Sequence, residues 1–265
     1  MSRDRFPGLR DGWARLDGPA GTQMVDTAIE AMADWMRSGR SANAGGLFAA
    51  GAASDALVDG ARATMGRLLG ADPAGVVFGP SMTALTFHFS AAVGRTLRPG
   101  DEIVCTRLDH DANVTPWLTA AERAGAIVRF AEPDRDTLEL PAAAVADRLG
   151  ERTKWVAVTA ASNAVGTIPP LAEIVAAAHA AGARVYVDAV HAVAHRPLDV
   201  AALDCDALVC SSYKWYGPHA GILWARPELL DTLSPDRLRP APASGPWAWQ
   251  QGTTSFETVA GIEAA

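Results

Sequence analysis

The chain has 265 residues, of which 49% are hydrophobic and 20% are charged, and this composition is ordinary for a soluble globular protein. The formal net charge of −7 argues against a nucleic-acid partner, because contacts to phosphates need a basic surface. No uninterrupted apolar run reaches the ~20 residues of a membrane-spanning helix, and no apolar signal core follows the N-terminus, so we expect no membrane partner.

The first 70 residues differ in pattern from the rest of the chain. Residues 17–22 are rich in turn formers, and 25–37 and 54–69 have the spacing of amphipathic helices with a glycine-rich loop between them. We therefore predict a helical entry segment at residues 1–70.

From about residue 75 onward, short apolar runs alternate with alanine-rich helical stretches. This alternation predicts an α/β fold, in which helices cover both faces of a mostly parallel sheet. The seven predicted strands are 75–78, 102–105, 126–130, 155–159, 184–188, 207–210 and 221–225. The predicted helices between them are 83–95, 116–124, 141–149 and 171–181.

The end of the sheet and the residues after it have a different character. Only about ten residues join the last two strands, which is short for a parallel crossover, so we expect the final strand to be antiparallel. Residues 234–246 are proline-rich, as is typical of a surface crossing. We assign 71–235 to a large cofactor-binding domain and 236–265 to a crossing segment that begins a further C-terminal region.

Lys214 is one of only two lysines in the chain, whereas arginine is used almost everywhere else. An amine can lose its proton and form a Schiff base, which a guanidinium cannot do. Upstream, an apolar strand ends in Asp188. A strand ending in a carboxylate, followed by a strand leading to a lysine, suggests pyridoxal phosphate (PLP), with the carboxylate as partner of the pyridinium nitrogen.

Several motifs around this pair resemble the class V aminotransferase superfamily of fold-type I PLP enzymes, and within it the cysteine desulfurase-like subgroup. The resemblance covers nearly the whole chain and implies the large domain of a PLP transferase. The motifs are Asp17–Pro19, Phe78–Thr83, Leu108–Asn113, Ser162–Thr167, Val187–His191 and Ser211–Pro218.

The resemblance implies a set of contacts to the cofactor ring. Lys214 would carry the Schiff base, and Asp188 would face the pyridinium nitrogen. His110 would stack on the ring and move protons, a role that suits an imidazole titrating near neutrality. Asn163 and His191 would contact the phenolic oxygen, although many desulfurases have glutamine at the position of His191.

The cofactor phosphate is expected at a helix N-terminus, where backbone N–H groups and hydroxyls converge. Ser81, Met82 and Thr83 open the helix after the first strand and match that need, while ordinary capping is the alternative role of Ser81. Ser211 and Tyr213 are expected to add hydroxyl groups.

Two further features concern partners and metals. Gly252 and Thr253 match a family Gly-Thr pair that reaches the phosphate in the neighbouring subunit, so the resemblance implies a homodimer with shared active sites. His191 and His195 are four residues apart, as a metal-binding pair on a helix would be. No glutamate lies between them and a proline follows closely, so we expect no metal.

The chain has three cysteines, Cys105, Cys205 and Cys210, an odd and sparse set that fits a reducing cytoplasm better than a disulfide framework. All three fall in or beside predicted strands, and we expect them to be buried and structural. In the family, the nucleophilic cysteine and the arginine that binds the substrate carboxylate belong to a C-terminal domain beyond Ala265. We therefore expect this chain to bind PLP but to show little desulfurase activity.

The leading hypothesis is a PLP-dependent enzyme that acts on a small amino acid, cleaving the C–S bond of cysteine to give alanine and sulfur. Lys214 and His110 are the candidate proton-transfer groups. An epimerase, β-lyase or aminotransferase remains open, and so does a non-catalytic cofactor-binding or structural fragment.

Overall fold

The computed structural model describes residues 2–265, and its strands form one seven-stranded sheet in the order β1-β7-β6-β5-β4-β2-β3. Strands β2 to β6 pair in parallel, whereas β7 is antiparallel to both of its neighbours, β6 and β1. The predicted α/β fold and the antiparallel final strand are confirmed. The strands are β1 Val76–Gly79, β2 Glu102–Thr106, β3 Ile127–Ala131, β4 Thr153–Thr159, β5 Arg184–Asp188, β6 Ala207–Ser211 and β7 Gly221–Ala225.

Helices lie on both faces of this sheet. In the described part of the chain, none of them combines the length and the hydropathy that a bilayer crossing requires. The helices are α1 Asp26–Arg37, α2 Ala49–Leu69, α3 Met82–Gly94, α4 Thr115–Ala124, α5 Ala142–Ala146, α6 Leu171–Ala180, α7 Val200–Leu203, α8 Pro227–Thr232 and α9 Phe256–Ala264.

The helix boundaries differ from the predicted ones by more than one residue at two places. Helix α2 begins at Ala49, five residues before the predicted start at Ser54, because the alanine-rich stretch between them favours helix over loop. Helix α5 ends at Ala146 and not at 149, and a turn follows it. Helices α7 and α8 were not predicted, because segments of only 4 and 6 residues are too short to show a helical pattern of apolar residues.

Alternate side chains of the strands supply two separate cores, one on each face of the sheet. In β4, Val156 and Val158 belong to one buried cluster, and Trp155 and Ala157 belong to the other. This period of two follows from strand geometry, and it explains why the strands are apolar throughout.

The entry segment and the C-terminal residues pack onto the same body. Helices α1 and α2 contact α9, and Phe256 and Ile262 of α9 belong to the same buried cluster as Val58 of α2 and Val187 of β5. The domain boundaries proposed from the sequence remain a prediction.

The loops that follow β2, β4, β5 and β6 all leave the sheet at one edge, because these strands are parallel. In open α/β sheets, ligands bind outside the carboxyl ends of the strands. His110, Asn163, His191 and Lys214 lie on these four loops.

Candidate active site

A cavity of about 90 Å³ lies at this edge and brings together eight of the residues predicted from the sequence. Another groove of about 990 Å³ is larger, but it lies near α6 and α7 and contains none of the candidate residues. We place the site by its chemistry and not by its size. The lining residues are Pro19, Met82, Thr83, His110, Ala112, Thr159, Ala161, Asn163, Asp188, Val190, His191, Tyr213 and Lys214.

Lys214 ends a short 3-10 turn that directly follows β6, and it is only 8% exposed. Burial lowers the pKa of its amine, while the charge of Asp188 acts in the opposite direction. The next residues turn sharply: Tyr216 has a φ of 76°, which non-glycine residues rarely adopt. Strained backbone of this kind persists where the surroundings hold it, and it often marks functional sites.

Asp188 ends β5 and is 4% exposed. Its Oδ1 accepts a hydrogen bond from the Val190 N–H at 2.9 Å. Burial raises the pKa of Asp188 to about 6, whereas nearby His110 and Lys214 lower it. Within residues 2–265, the ion pairs with arginine, lysine or histidine do not include this carboxylate. A buried carboxylate needs a cationic partner, and a pyridinium N–H in the cavity fits that need.

His110 lies on the loop after β2 and begins a 3-10 turn at Asp111–Asn113. Its Nδ1 accepts a hydrogen bond from the Ala112 N–H at 3.1 Å. An imidazole nitrogen that accepts carries no proton, so this bond leaves Nε2 as the nitrogen that can bear one.

Asp109, directly before His110, is a half-buried carboxyl that sequence analysis missed. It accepts hydrogen bonds from the Thr106 hydroxyl and from Nδ2 of Asn113, the latter at 2.7 Å. The Trp117 indole N–H in turn donates to Oδ1 of Asn113 at 3.2 Å. Burial, together with the charge of Asp188, raises the pKa of Asp109 to about 8. These bonds fix the loop that carries His110.

His191 lines the cavity, and its ring centroid lies 4.6 Å from that of His195. Burial and the charges of His195 and Lys214 lower the pKa of His191. A neutral imidazole can donate a hydrogen bond to an oxygen of a bound cofactor. No group of three or more histidine, cysteine, aspartate or glutamate residues with metal-binding geometry exists among residues 2–265.

The residues predicted for the phosphate are only partly brought together. Met82 and Thr83 form the first turn of α3 at the cavity, where their backbone N–H groups can meet an anion. The Ser81 hydroxyl caps α3 by accepting the Ala84 N–H at 3.1 Å. The structure thus shows the capping role considered for Ser81, and its contact to the phosphate stays a prediction.

The remaining three predicted residues lie in different surroundings. Tyr213 lines the cavity, and its ring stacks on His219 with centroids 5.0 Å apart. Ser211 is buried at the end of β6 and is not part of the lining. Thr253 is exposed in a separate groove, beside Gln250.

The raised pKa values of Asp188 and Asp109 make stability depend on pH. The pKa of Asp188 rises from its ordinary value of 3.8 in the unfolded chain to about 6 in the folded protein. Between these pH values the unfolded state therefore binds fewer protons than the folded state. Stability of the PLP-free protein should therefore fall as the pH rises from about 4 to 6, and further toward 8 through Asp109.

Asp188→Asn removes one of these costs. We expect it to stabilise the PLP-free protein at pH 7.5 by up to about 3 kcal/mol and to have little effect at pH 4. Urea denaturation of both proteins at the two pH values measures this difference. If the free energies of unfolding of the variant and the wild type differ by the same amount at both pH values, Asp188 is not buried in its charged form.

The family model of aminotransferase class-V matches residues 14–261. An uncharacterized protein of Mycobacterium tuberculosis is 34% identical over 265 residues, a match that covers 99% of this chain and 66% of that protein. A cysteine desulfurase of Dickeya dadantii is 34% identical over 267 residues, covering 95% of this chain and 65% of the desulfurase.

Solved structures show the same likeness. The cysteine desulfurase CsdA of Escherichia coli has a TM-score of 0.89 at 29% identity, and the match covers 99% of this chain and 69% of CsdA. The apo cysteine desulfurase of Thermococcus onnurineus shares the fold, with a TM-score of 0.90 at 24% identity and coverage of 100% and 70%.

The fold and the site thus define a PLP-transferase type of α/β protein. The chain belongs to the aminotransferase class-V family and is similar to its cysteine desulfurases, as the sequence motifs indicated. It spans about two thirds of the length of the curated relatives, with 66% and 65% for the two proteins named.

Proposed function

We propose that this protein is a PLP-dependent enzyme that acts on a small amino acid. The observation that carries the proposal is that Lys214 and Asp188 line the same cavity and are both buried. The carboxylate of Asp188 forms no ion pair with the described residues. Family membership supports it further.

PLP, when bound, supplies an electron sink for negative charge that develops at the substrate Cα. In this chain, Lys214 would hold the cofactor covalently and, once displaced, move a proton at Cα through Nζ. Asp188 would keep the pyridine nitrogen protonated, and His110 would offer Nε2 as a second proton-transfer atom. The backbone N–H groups of Met82 and Thr83 would bind the phosphate, and Asn163 and His191 would orient the ring.

For the substrate, we propose cysteine, with C–S cleavage to alanine and sulfur. The support is the desulfurase relatives, which are 32% to 34% identical. Sulfur transfer by this route needs an accessible thiol that accepts the sulfur. Such a thiol has to come from outside the three cysteines of this chain, as their burial indicates.

Cys105, Cys205 and Cys210 are all buried and unpaired, as predicted. Burial raises the pKa of Cys205 and of Cys210 to about 12, and it raises that of Cys105 still more, so thiolates are disfavoured. We expect single Cys→Ala variants to keep the wild-type rate of alanine formation from cysteine in the presence of an added thiol, within about twofold. Loss of turnover in one folded variant would identify that cysteine as the nucleophile.

The burial of the three cysteines also favours a second class of reaction, one that uses no protein thiol. A β-lyase, epimerase or aminotransferase reaction needs PLP and a base but no protein thiol, and the cavity has both the lysine and the histidine for it. Product analysis separates these functions: alanine with sulfur, pyruvate with ammonia, a racemised amino acid, or a new keto acid.

We also propose a cytoplasmic homodimer. The exposed position of Thr253, in a groove of about 810 Å³, leaves it accessible to a second subunit. The unpaired cysteines suit a reducing compartment. Sedimentation of Thr253→Arg against the wild type tests the dimer, because a bulky charge at a close interface disfavours association.

Adding PLP to purified protein tests the cofactor proposal directly. Covalent attachment to an amine gives an absorption band in the violet, and with bound PLP the addition of cysteine should change that band. A protein that gains no such band with excess PLP would leave the non-catalytic alternative in its place.

A further inference from the structure

Residues 17–22, here called the entry strap, lie at the cavity and contact Lys214 directly. Pro19 lines the cavity, and its carbonyl oxygen accepts a hydrogen bond from Nζ of Lys214. Two turns shape the strap: the Ala20 N–H donates to the Asp17 carbonyl at 2.8 Å, and the Gly21 N–H donates to the Gly18 carbonyl at 3.1 Å. Pro19 is itself exposed, so the strap lies on the solvent side of the cavity.

Thr22 attaches the strap to the turn that carries Lys214. Both its backbone N–H and its hydroxyl donate to the Tyr213 carbonyl, each at 2.9 Å. The same hydroxyl accepts the Tyr216 N–H at 2.9 Å. Thr22 therefore contacts the chain on both sides of Lys214, one residue before it and two residues after it.

The residues next to Thr22 and Tyr213 also pack closely against each other. Gly21 has a φ of 146°, and a Cβ placed there would come within 3.0 Å of the Tyr213 ring. Tyr216 is the residue with the left-handed φ of 76°, and the Thr22 hydroxyl satisfies its N–H. The Val25 N–H then donates to the Tyr216 carbonyl at 3.0 Å and continues the contact up to the start of α1.

We propose that Thr22 is a positioning residue, which clamps the entry strap to the Lys214 turn so that the Pro19 carbonyl holds the free amine of Lys214 in the cavity. A lysine amine that a substrate has displaced stands on a flexible four-carbon chain, so it can turn away from the site. An acceptor fixed beside it keeps the amine within reach of the cavity. This role rests on the proposed function of Lys214.

The chain has only two lysines, which makes a direct test possible without PLP. Lys214 is 8% exposed, whereas the side chain of Lys154 is 43% exposed and serves as an internal reference. The 265-residue chain is stripped of PLP and treated with a trace of acetic anhydride, and mass spectrometry gives the ratio of acetylation at Lys214 to that at Lys154. The ratio reports on the strap whether or not Lys214 binds PLP.

We expect Thr22→Val, which keeps the shape but loses the hydroxyl and both of its hydrogen bonds, to raise this ratio at least about fivefold, since the loss of one net hydrogen bond already has that effect. Thr22→Ser, which keeps the hydroxyl, should stay at the wild-type ratio. Thr232→Val is the matched control, because that hydroxyl also bonds to a backbone carbonyl but is exposed at the end of helix α8.

An unchanged ratio in folded Thr22→Val would overturn the proposal, and so would an equal rise in Thr232→Val. If Thr22→Val does not fold, Gly21→Ala carries the test, because the added Cβ displaces the strap and leaves the Thr22 hydroxyl in place. An unchanged ratio in Gly21→Ala would then overturn it.

Discussion

Asp188→Asn is expected to lower the rate of Cα–H exchange by a hundredfold or more while PLP remains attached to Lys214. The amide has the shape of the carboxyl but no charge, so it cannot hold a proton on the pyridine nitrogen. Removal of one preorganised electrostatic group typically costs on the order of 10²–10³ in rate. Deuterium incorporation at Cα of added amino acids, followed by NMR, measures this step for any of the proposed reactions.

Asp206→Asn is the matched control for this variant. Asp206 is also buried, at 7% exposed, but it lies before β6, at the opposite edge of the sheet, where it bonds to His179 and to the Val185 N–H. It should lose stability and keep its exchange rate. Equal exchange rates in Asp188→Asn and the wild type would rule out Asp188 as the partner of the ring nitrogen.

Lys214→Arg is expected to abolish covalent attachment of PLP and to lower Cα–H exchange by roughly 10²–10⁴, the usual contribution of a positioned acid or base. A guanidinium keeps the positive charge but neither forms the linkage nor gives up its proton. The violet absorption band and the exchange rate are measured on the same sample. Lys154→Arg should match the wild type in both, and a Lys214→Arg protein that retains the band would contradict the role of Lys214.

Much of the site follows from simple features of the sequence. Lys214 stands out because lysine is rare in this chain, and Asp188 stands out because a carboxylate ends an otherwise apolar strand. Parallel strands then bring their carboxyl ends to one edge, so His110 and Asn163, on loops after other strands, had to lie near them. The fold was predictable for the same reason, since apolar strands alternate with helices.

The parts that could not be predicted depend on contacts between distant residues. Thr22 bonds to Tyr213, 191 residues later, and no local pattern encodes this pairing. Asp109 has the appearance of a loop residue, and the hydrogen bonds that link it to Asn113 and Trp117 form only in the folded loop. Ser211 and Thr253 fit a motif by type, but their distance from the cavity depends on how the chain packs.

Borohydride reduction of the PLP-loaded chain, followed by peptide mass mapping, tests the central claim most directly. Reduction makes the link between PLP and an amine permanent, and the chain offers only Lys214, Lys154 and the N-terminus as primary amines. We predict one PLP adduct per chain, on the peptide that contains Lys214. An adduct on Lys154, or no adduct in protein saturated with PLP, would contradict the proposed function.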